Sequence, residues 1–211
     1  MKPVFVFTTA LALSATGLWA QDQTADVQKW NAEGSQLLDK GKLGDARLSF
    51  EKVLAADPDN FPASFNLGSL EYRAHHLEDA EKSLQHAVRL RPDSALAWLT
   101  LGVVECDQEK NDAALAALAQ ALVLEPNNVK AHAYLGVTIG RKGWLDGAEA
   151  ELRRALELDE NDADAHFNLA VIYLQQHPPA IELAKRHYQR ALELGASPDS
   201  LVEKQLGQGK E

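Results

Sequence analysis

Seven histidines and one cysteine are the side chains of this 211-residue chain best suited to chemistry. His132 and His166 stand 34 positions apart, in the same register as Trp30 and Trp98. Two imidazoles there, with Cys106 nearby, have the donor types of a transition-metal site. Their register argues otherwise. A place filled by indole elsewhere is an interior one, so both rings are expected to fill space with one polar tip satisfied. His75 and His76 read as a solvated turn, with His86 on the helix that follows. Cys106 has no CxxC partner and no activating base, and a small apolar filler is the expectation. A single cysteine also excludes an intramolecular disulfide. No GxSxG elbow, HExxH pair or phosphate-cradling glycine loop occurs. The abundant Asp and Glu mostly fall on helix faces opposite the apolar stripe and read as solvated. The residues therefore predict no enzyme, no metal site and no cofactor.

What must position any site is a repeat. Glu33-Gly34, Leu67-Gly68, Leu101-Gly102, Leu135-Gly136 and Leu169-Ala170 follow one another at a spacing of 34. A period of this length signals stacked helical hairpins. The units are read as 27–60, 61–94, 95–128, 129–162 and 163–196, each with apolar residues at three- and four-residue spacing. Ala46, Phe50 and Val53, and their counterparts at 80/84/87, 114/118/121 and 148/152/155, put one apolar stripe on each second helix. Asn60, Ser94, Asn128 and Asp162 are placed to cap first helices. Asp57-Pro58, Arg91-Pro92 and Glu125-Pro126 end second helices. The fourth unit has Asp159-Glu160-Asn161 instead, which predicts a softer or more continuous joint. In the fifth, the stripe Ala184, Tyr188 and Ala191 is displaced by two, so an insertion is expected in the turn Gln176-His177-Pro178-Pro179. Residues 197–211 are read as a capping helix with Leu201, Val202 and Leu206, followed by a tail.

The first twenty residues differ from the rest. Lys2, the apolar run from Val4 to Leu13 and the small residues from Ala15 to Ala20 have the layout of a secretory signal cut after Ala20. A retained anchor is the alternative, although the apolar run is shorter than the ~20 residues a bilayer crossing prefers. Residues 21–26 form a polar lead-in. The chain carries 21 basic and 31 acidic side chains, a net charge of −10. Without a basic stripe, a nucleic-acid partner is not expected. A periplasmic or secreted location is expected, with no stable membrane insertion once the signal is removed.

Phe65-Asn66-Leu67-Gly68 and Trp98-Leu99-Thr100-Leu101-Gly102 resemble the opening helix of tetratricopeptide repeats. Glu78-Asp79-Ala80-Glu81 and Ala148 through Leu156 resemble the second. The resemblance covers residues 27 to about 196 and is to an exported bacterial type of the family. It implies an all-α, right-handed superhelical solenoid of helix-turn-helix hairpins, closed by a C-terminal capping helix. It also implies a protein or peptide partner held in the concave groove. The family's two-carboxylate clamp would fall on Asn31, Ser35, Asn66, Leu96 and Thr100, and only Asn66 matches. The positions the family places on or near the concave side are Phe65, Tyr72, Leu99, Val103, Val137, Phe167 and Val171, edged by Arg73, Lys130 and Arg141. The implied role is an adaptor or scaffold in envelope assembly or secretion. The alternative for the valine row is packing between neighbouring first helices. The alternatives for function are a self-associating module, giving a homo-oligomer, and an envelope glycan binder using Trp144 and Tyr173.

Overall fold

Eleven helices account for the regular structure of the described residues, and no strand occurs among them. The computed structural model describes the backbone of residues 12–208 and the side chains of 24–207. The helices are α1 (Ala12–Asp39), α2 (Leu43–Ala56), α3 (Phe61–Arg73), α4 (Leu77–Leu90), α5 (Ala95–Asp107), α6 (Asn111–Leu124), α7 (Val129–Arg141), α8 (Leu145–Leu158), α9 (Ala163–Gln175), α10 (Ile181–Glu193) and α11 (Ser200–Gln208). Of the expected signal segment, residues 1–11 lie outside the described residues. Helix α1 runs unbroken through positions 20 and 21, so the polar lead-in is helical. No helix among the described residues is long and apolar enough to cross a membrane.

Each odd-numbered helix from α1 to α9 pairs with the next to form a hairpin, and each hairpin stacks on its neighbour. The odd-numbered helices also touch one another in succession, α1 to α3 to α5 to α7 to α9. Even-numbered helices make no such mutual contacts among the described residues. The odd helices therefore line the inner face of the curved stack and the even helices form its outer layer. Helix α11 rests on α9 and α10, where Val202 packs with Ala170 and Tyr188.

Steric fit explains the close crossings. A Cβ on Gly102 would lie 2.7 Å from Leu118 Cγ and 3.2 Å from the Leu118 backbone nitrogen. Leu118, Leu84, Leu152 and Phe50 occupy the facing position and are completely buried. One set of contacts thus joins the two helices of a hairpin and reaches the next. Leu118 packs with Leu99, Val103, Ala121 and Ala131, tying α5, α6 and α7 together.

The joints between hairpins are nearly identical. Asn60, Ser94, Asn128 and Asp162 each accept a hydrogen bond from the backbone N–H three residues on. The residues closing the preceding helices have φ/ψ of −138/85 at Asp57, −136/83 at Arg91, −130/84 at Glu125 and −141/100 at Asp159. The fourth joint keeps this geometry without proline because Asp159 Oδ1 accepts from the Asn161 N–H at 3.0 Å. The fourth joint is thus as distinct a break between helices as the other three. A second device pins the last three of these linkers. Trp98 Nε1 donates to the Pro92 carbonyl at 2.9 Å, and His132 Nε2 and His166 Nε2 face the carbonyls of Pro126 and Glu160 at 3.0 and 3.2 Å. The histidines at the tryptophan register thus do the indole's polar work.

Inside the hairpins, Gly41, His75, Glu109 and Gly143 all have positive φ, at 71, 59, 59 and 81°. Only glycine adopts that conformation freely. The fifth turn is longer, from Gln176 to Ala180 between α9 and α10, so the two extra residues fall where the displaced stripe predicts. Ala184, Tyr188 and Ala191 are buried again beyond it.

Among the described residues two carboxyl groups lie inside the stack, at equivalent places in the second and third hairpins. Glu71 meets Arg47 Nε at 3.2 Å and His76 Nδ1 at 2.7 Å. His75 and His76 are exposed, as a solvated turn requires, and His76 in addition ties that turn to a buried acid. Glu105, 4% exposed, faces different company. One repeat on from Arg47 stands Glu81, and one repeat on from His76 stands Lys110, whose ammonium pairs with Glu81 at 2.5 Å. Glu105 Oε2 is left without a hydrogen-bond partner. Burial and the neighbouring Glu81 carboxylate push the Glu105 carboxyl up to about 7, against the opposing pull of Lys110.

Candidate functional site

Three successive inner helices, α5, α7 and α9, leave a pocket of about 350 Å³ between them. Lys130, Tyr134, Val137 and Arg141 line it from α7, Cys106 and Asp107 from the end of α5, and Asp164 and Asn168 from α9. The repeat explains why they meet. Asp107 and Arg141, Lys130 and Asp164, and Tyr134 and Asn168 are each 34 positions apart, so equivalent places on adjacent first helices face across one gap.

Its polar groups are positioned from the last turn of α5. Arg141 Nη1 donates to the Cys106 carbonyl at 2.5 Å and lies 3.3 Å from Cys106 Sγ. That places a cation at the negative end of a helix. Thr138 Oγ1 donates to the Tyr134 carbonyl at 2.7 Å and approaches Cys106 Sγ at 3.5 Å. Asp107 Oδ2 accepts the Tyr72 hydroxyl at 2.8 Å, which extends the polar rim to α3. Burial, with the carboxylates of Asp107, Asp164 and Asp162, pushes the Tyr134 phenol up. Burial and the Asp107 hydrogen bond do the same to Tyr72. Both phenols stay protonated and act as hydrogen-bonding, half-apolar walls.

Of the ten groove residues read from the sequence, Lys130, Val137 and Arg141 come together in this pocket, with Tyr72 at its edge through Asp107. Phe65 lies further along, stacked on Phe61 with centroids 6.0 Å apart. Phe167 and Val171 pack at the other end, beside Tyr188 and Val202. Arg73 is exposed on the last turn of α3. Leu99 and Val103 differ from the expectation. They are 7% and 9% exposed and pack on Leu118 and Ala131, so at these two positions the row is packing between first helices. Val137 and Val171 remain half-buried.

Tyr173 also departs from its expected exposure. Its ring is 1% exposed, its hydroxyl accepts from Arg153 at 2.9 Å, and it donates to Glu149 at 3.2 Å. A sugar-stacking surface built on it and Trp144 is thereby reduced to Trp144, which is 58% exposed. Sequence reasoning missed Tyr134, Asp107, Asp164 and Asn168 as groove residues. The signal that would have found them is the 34-residue offset to Lys130, Tyr134 and Arg141, read as facing neighbours as well as equivalents.

Models of the tetratricopeptide repeat match residues 37–102 and 99–143, and a TPR repeat model matches 141–176. No curated protein gives a significant match. Solved structures that resemble the chain include a MamA protein, 26% identical over 76% of this chain and 93% of that one, with a TM-score of 0.69. YrrB, described as a TPR protein with an unusual peptide-binding site, is 22% identical over 95% and 100%, with a TM-score of 0.73. PilF of Pseudomonas aeruginosa is 17% identical over 89% and 86%, with a TM-score of 0.74. At those identities YrrB and PilF speak to fold alone.

Proposed function

We propose that this solenoid of tetratricopeptide repeats is a non-catalytic adaptor that holds a segment of a partner polypeptide on its inner face. The observation that carries the reading is the pocket between α5, α7 and α9. There a half-buried valine and a tyrosine ring are bordered by Lys130 and Arg141 on one helix and by Asp164 and Asn168 on the next. Apolar area at the centre with polar groups at the edge is how a peptide is bound and oriented. The pocket is built on packed helices, so mainly the incoming segment loses conformational freedom on binding.

A photoreactive residue at Asn168, across the pocket from Val137, tests it. In the native cell one dominant protein adduct is expected. Val137→Asp should weaken capture about tenfold, the equivalent of 1.4 kcal/mol, with helicity unchanged. An adduct that ignores Val137→Asp would remove the pocket from the reading, and adducts only to other copies of the chain would replace the adaptor with a self-associating scaffold.

The setting we propose is outside the cytoplasm, in envelope assembly or secretion, on the strength of the charge and small-residue layout of residues 1–20. Fractionation with terminal sequencing is expected to return a periplasmic or secreted chain beginning at Gln21. A full-length cytoplasmic product would overturn this part alone.

A further inference from the structure

The pocket between α5, α7 and α9 is open because one side chain is short. Phe65, Leu99, Ala133 and Phe167 hold equivalent places on α3, α5, α7 and α9, each 34 positions after the last. Three of them are large, and each closes the space beside the element that follows. Phe65 packs against the core shared by α4 and α5. Leu99 packs with Leu118 and Ala131, which seals α5 against α7. Phe167 packs with Tyr188 and Val202, which seals α9 under α11. In the remaining place stands Ala133, 8% exposed. Its single methyl joins the core but leaves the gap between α7 and α9 unfilled.

Helix interfaces are otherwise close-packed, and a gap forfeits the contacts its lining could make. Here the lining suits a large apolar side chain, since Ala133 is joined by Val137 and the Tyr134 ring, both half-buried. Three of the five charged groups around the pocket are already engaged. Arg141 donates to the Cys106 carbonyl, Asp107 accepts the Tyr72 hydroxyl, and Asp162 accepts the Ala165 N–H. Lys130 on α7 and Asp164 on α9 are left, both exposed and neither in an ion pair. They stand on opposite walls, so the rim carries one free charge of each sign.

We propose that the partner supplies the side chain that Ala133 withholds: a polypeptide segment with one leucine- or phenylalanine-sized anchor seated over Ala133, flanked by an acidic residue towards Lys130 and a basic one towards Asp164. This rests on the adaptor reading and adds the chemistry of the partner to it. The equivalent places fix the nature of the anchor, because the fold itself fills them with Phe65, Leu99 and Phe167. A large side chain desolvated in a preformed pocket carries most of the energy of such a contact. The two rim charges set direction and partner choice more than strength. With the neighbouring gaps sealed from within, the anchor has a single seat, and that seat fixes the register of the whole segment on the inner face.

A random peptide library displayed on phage and selected on the full chain tests the assignment. Enriched peptides are expected to share one leucine, methionine or phenylalanine between an acidic and a basic residue. A synthetic peptide of that sequence should lose about 10- to 100-fold in affinity when its anchor is made alanine, a readout that needs no variant of the protein. Ala133→Leu and Ala133→Phe, which install the residue types of the third and fifth hairpins, should cost a similar factor with helicity unchanged. In either variant the alanine peptide should bind little worse than the anchored one, since both changes remove the same contact. Asp164→Lys should weaken binding, and a peptide with its basic residue made acidic should restore it. Peptides without a large apolar residue, or peptides that bind both Ala133 variants as tightly as the parent, would overturn the anchor and leave an adaptor with another contact surface. Enrichment of no peptide at all would remove the adaptor and the anchor together.

Discussion

Leu118→Ala is expected to destabilise the protein by about 3–5 kcal/mol, towards the upper end for truncating a buried leucine. The side chain is completely buried, and its Cγ and Cδ2 fill the space left by Gly102. It also contacts residues of α5, α6 and α7. Relaxation cannot easily close the cavity, because the surrounding helices are held by their own caps and crossings. Position adds to the effect. In a stack stabilised by nearest-neighbour contacts, a weak central interface uncouples the two ends. Denaturant unfolding of the variant, followed by circular dichroism and by tryptophan fluorescence, should show transitions that no longer coincide. A single coincident transition shifted by less than about 1 kcal/mol would show that the hairpin crossing matters less than its geometry indicates.

Glu105→Leu is expected to stabilise, and to do so in a pH-dependent way. The Glu105 carboxyl is pushed up from 4.5 to about 7 in the fold by burial and by Glu81. A carboxyl raised on folding favours the native state while it is protonated. Its contribution is full below pH 4.5 and is lost as pH rises through about 7. At pH 8 the native chain therefore holds a buried carboxylate with one oxygen unpaired. Leaving such a group unsatisfied costs about 1–3 kcal/mol, or about 2–12 °C in melting temperature at this chain length. Ile139 already fills the equivalent place one repeat on, so an aliphatic side chain suits the site. The melting temperature of the variant should exceed the parent's most at pH 8 and converge with it near pH 5. An offset equal at both pH values would mean that the gain comes from packing alone.

Much of this architecture is legible in the sequence because a repeat states each rule several times. Asn60, Ser94, Asn128 and Asp162 cap helices as their positions indicate, and the insertion near Gln176 lies where the displaced Ala184, Tyr188 and Ala191 require. What escapes is what depends on three helices at once. Val103 and Val137 look equivalent along the chain. Val103 is closed over by Leu118 and Ala131, while Val137 borders a pocket. Tyr173 looks like an exposed ring until Arg153 and Glu149, on the helix of the preceding hairpin, are seen to hold its hydroxyl. The Glu105 environment is equally invisible to single positions, since it arises from Glu81 standing one repeat after Arg47. The fourth joint shows the reverse case, with a side-chain acceptor at Asp159 doing what proline does elsewhere.

The sameness of those joints has an evolutionary consequence. Four linkers closing at nearly one pair of backbone angles, three of them pinned by a ring on the helix that follows, make every hairpin present its successor with the same docking surface in the same orientation. A duplicated gene segment encoding residues 95–128 would then enter between its own flanks as a fully compatible module, lengthening the inner face by one unit and leaving the older units undisturbed. Growth or loss of reach by unequal recombination is built into such a chain, and partner choice can drift one module at a time.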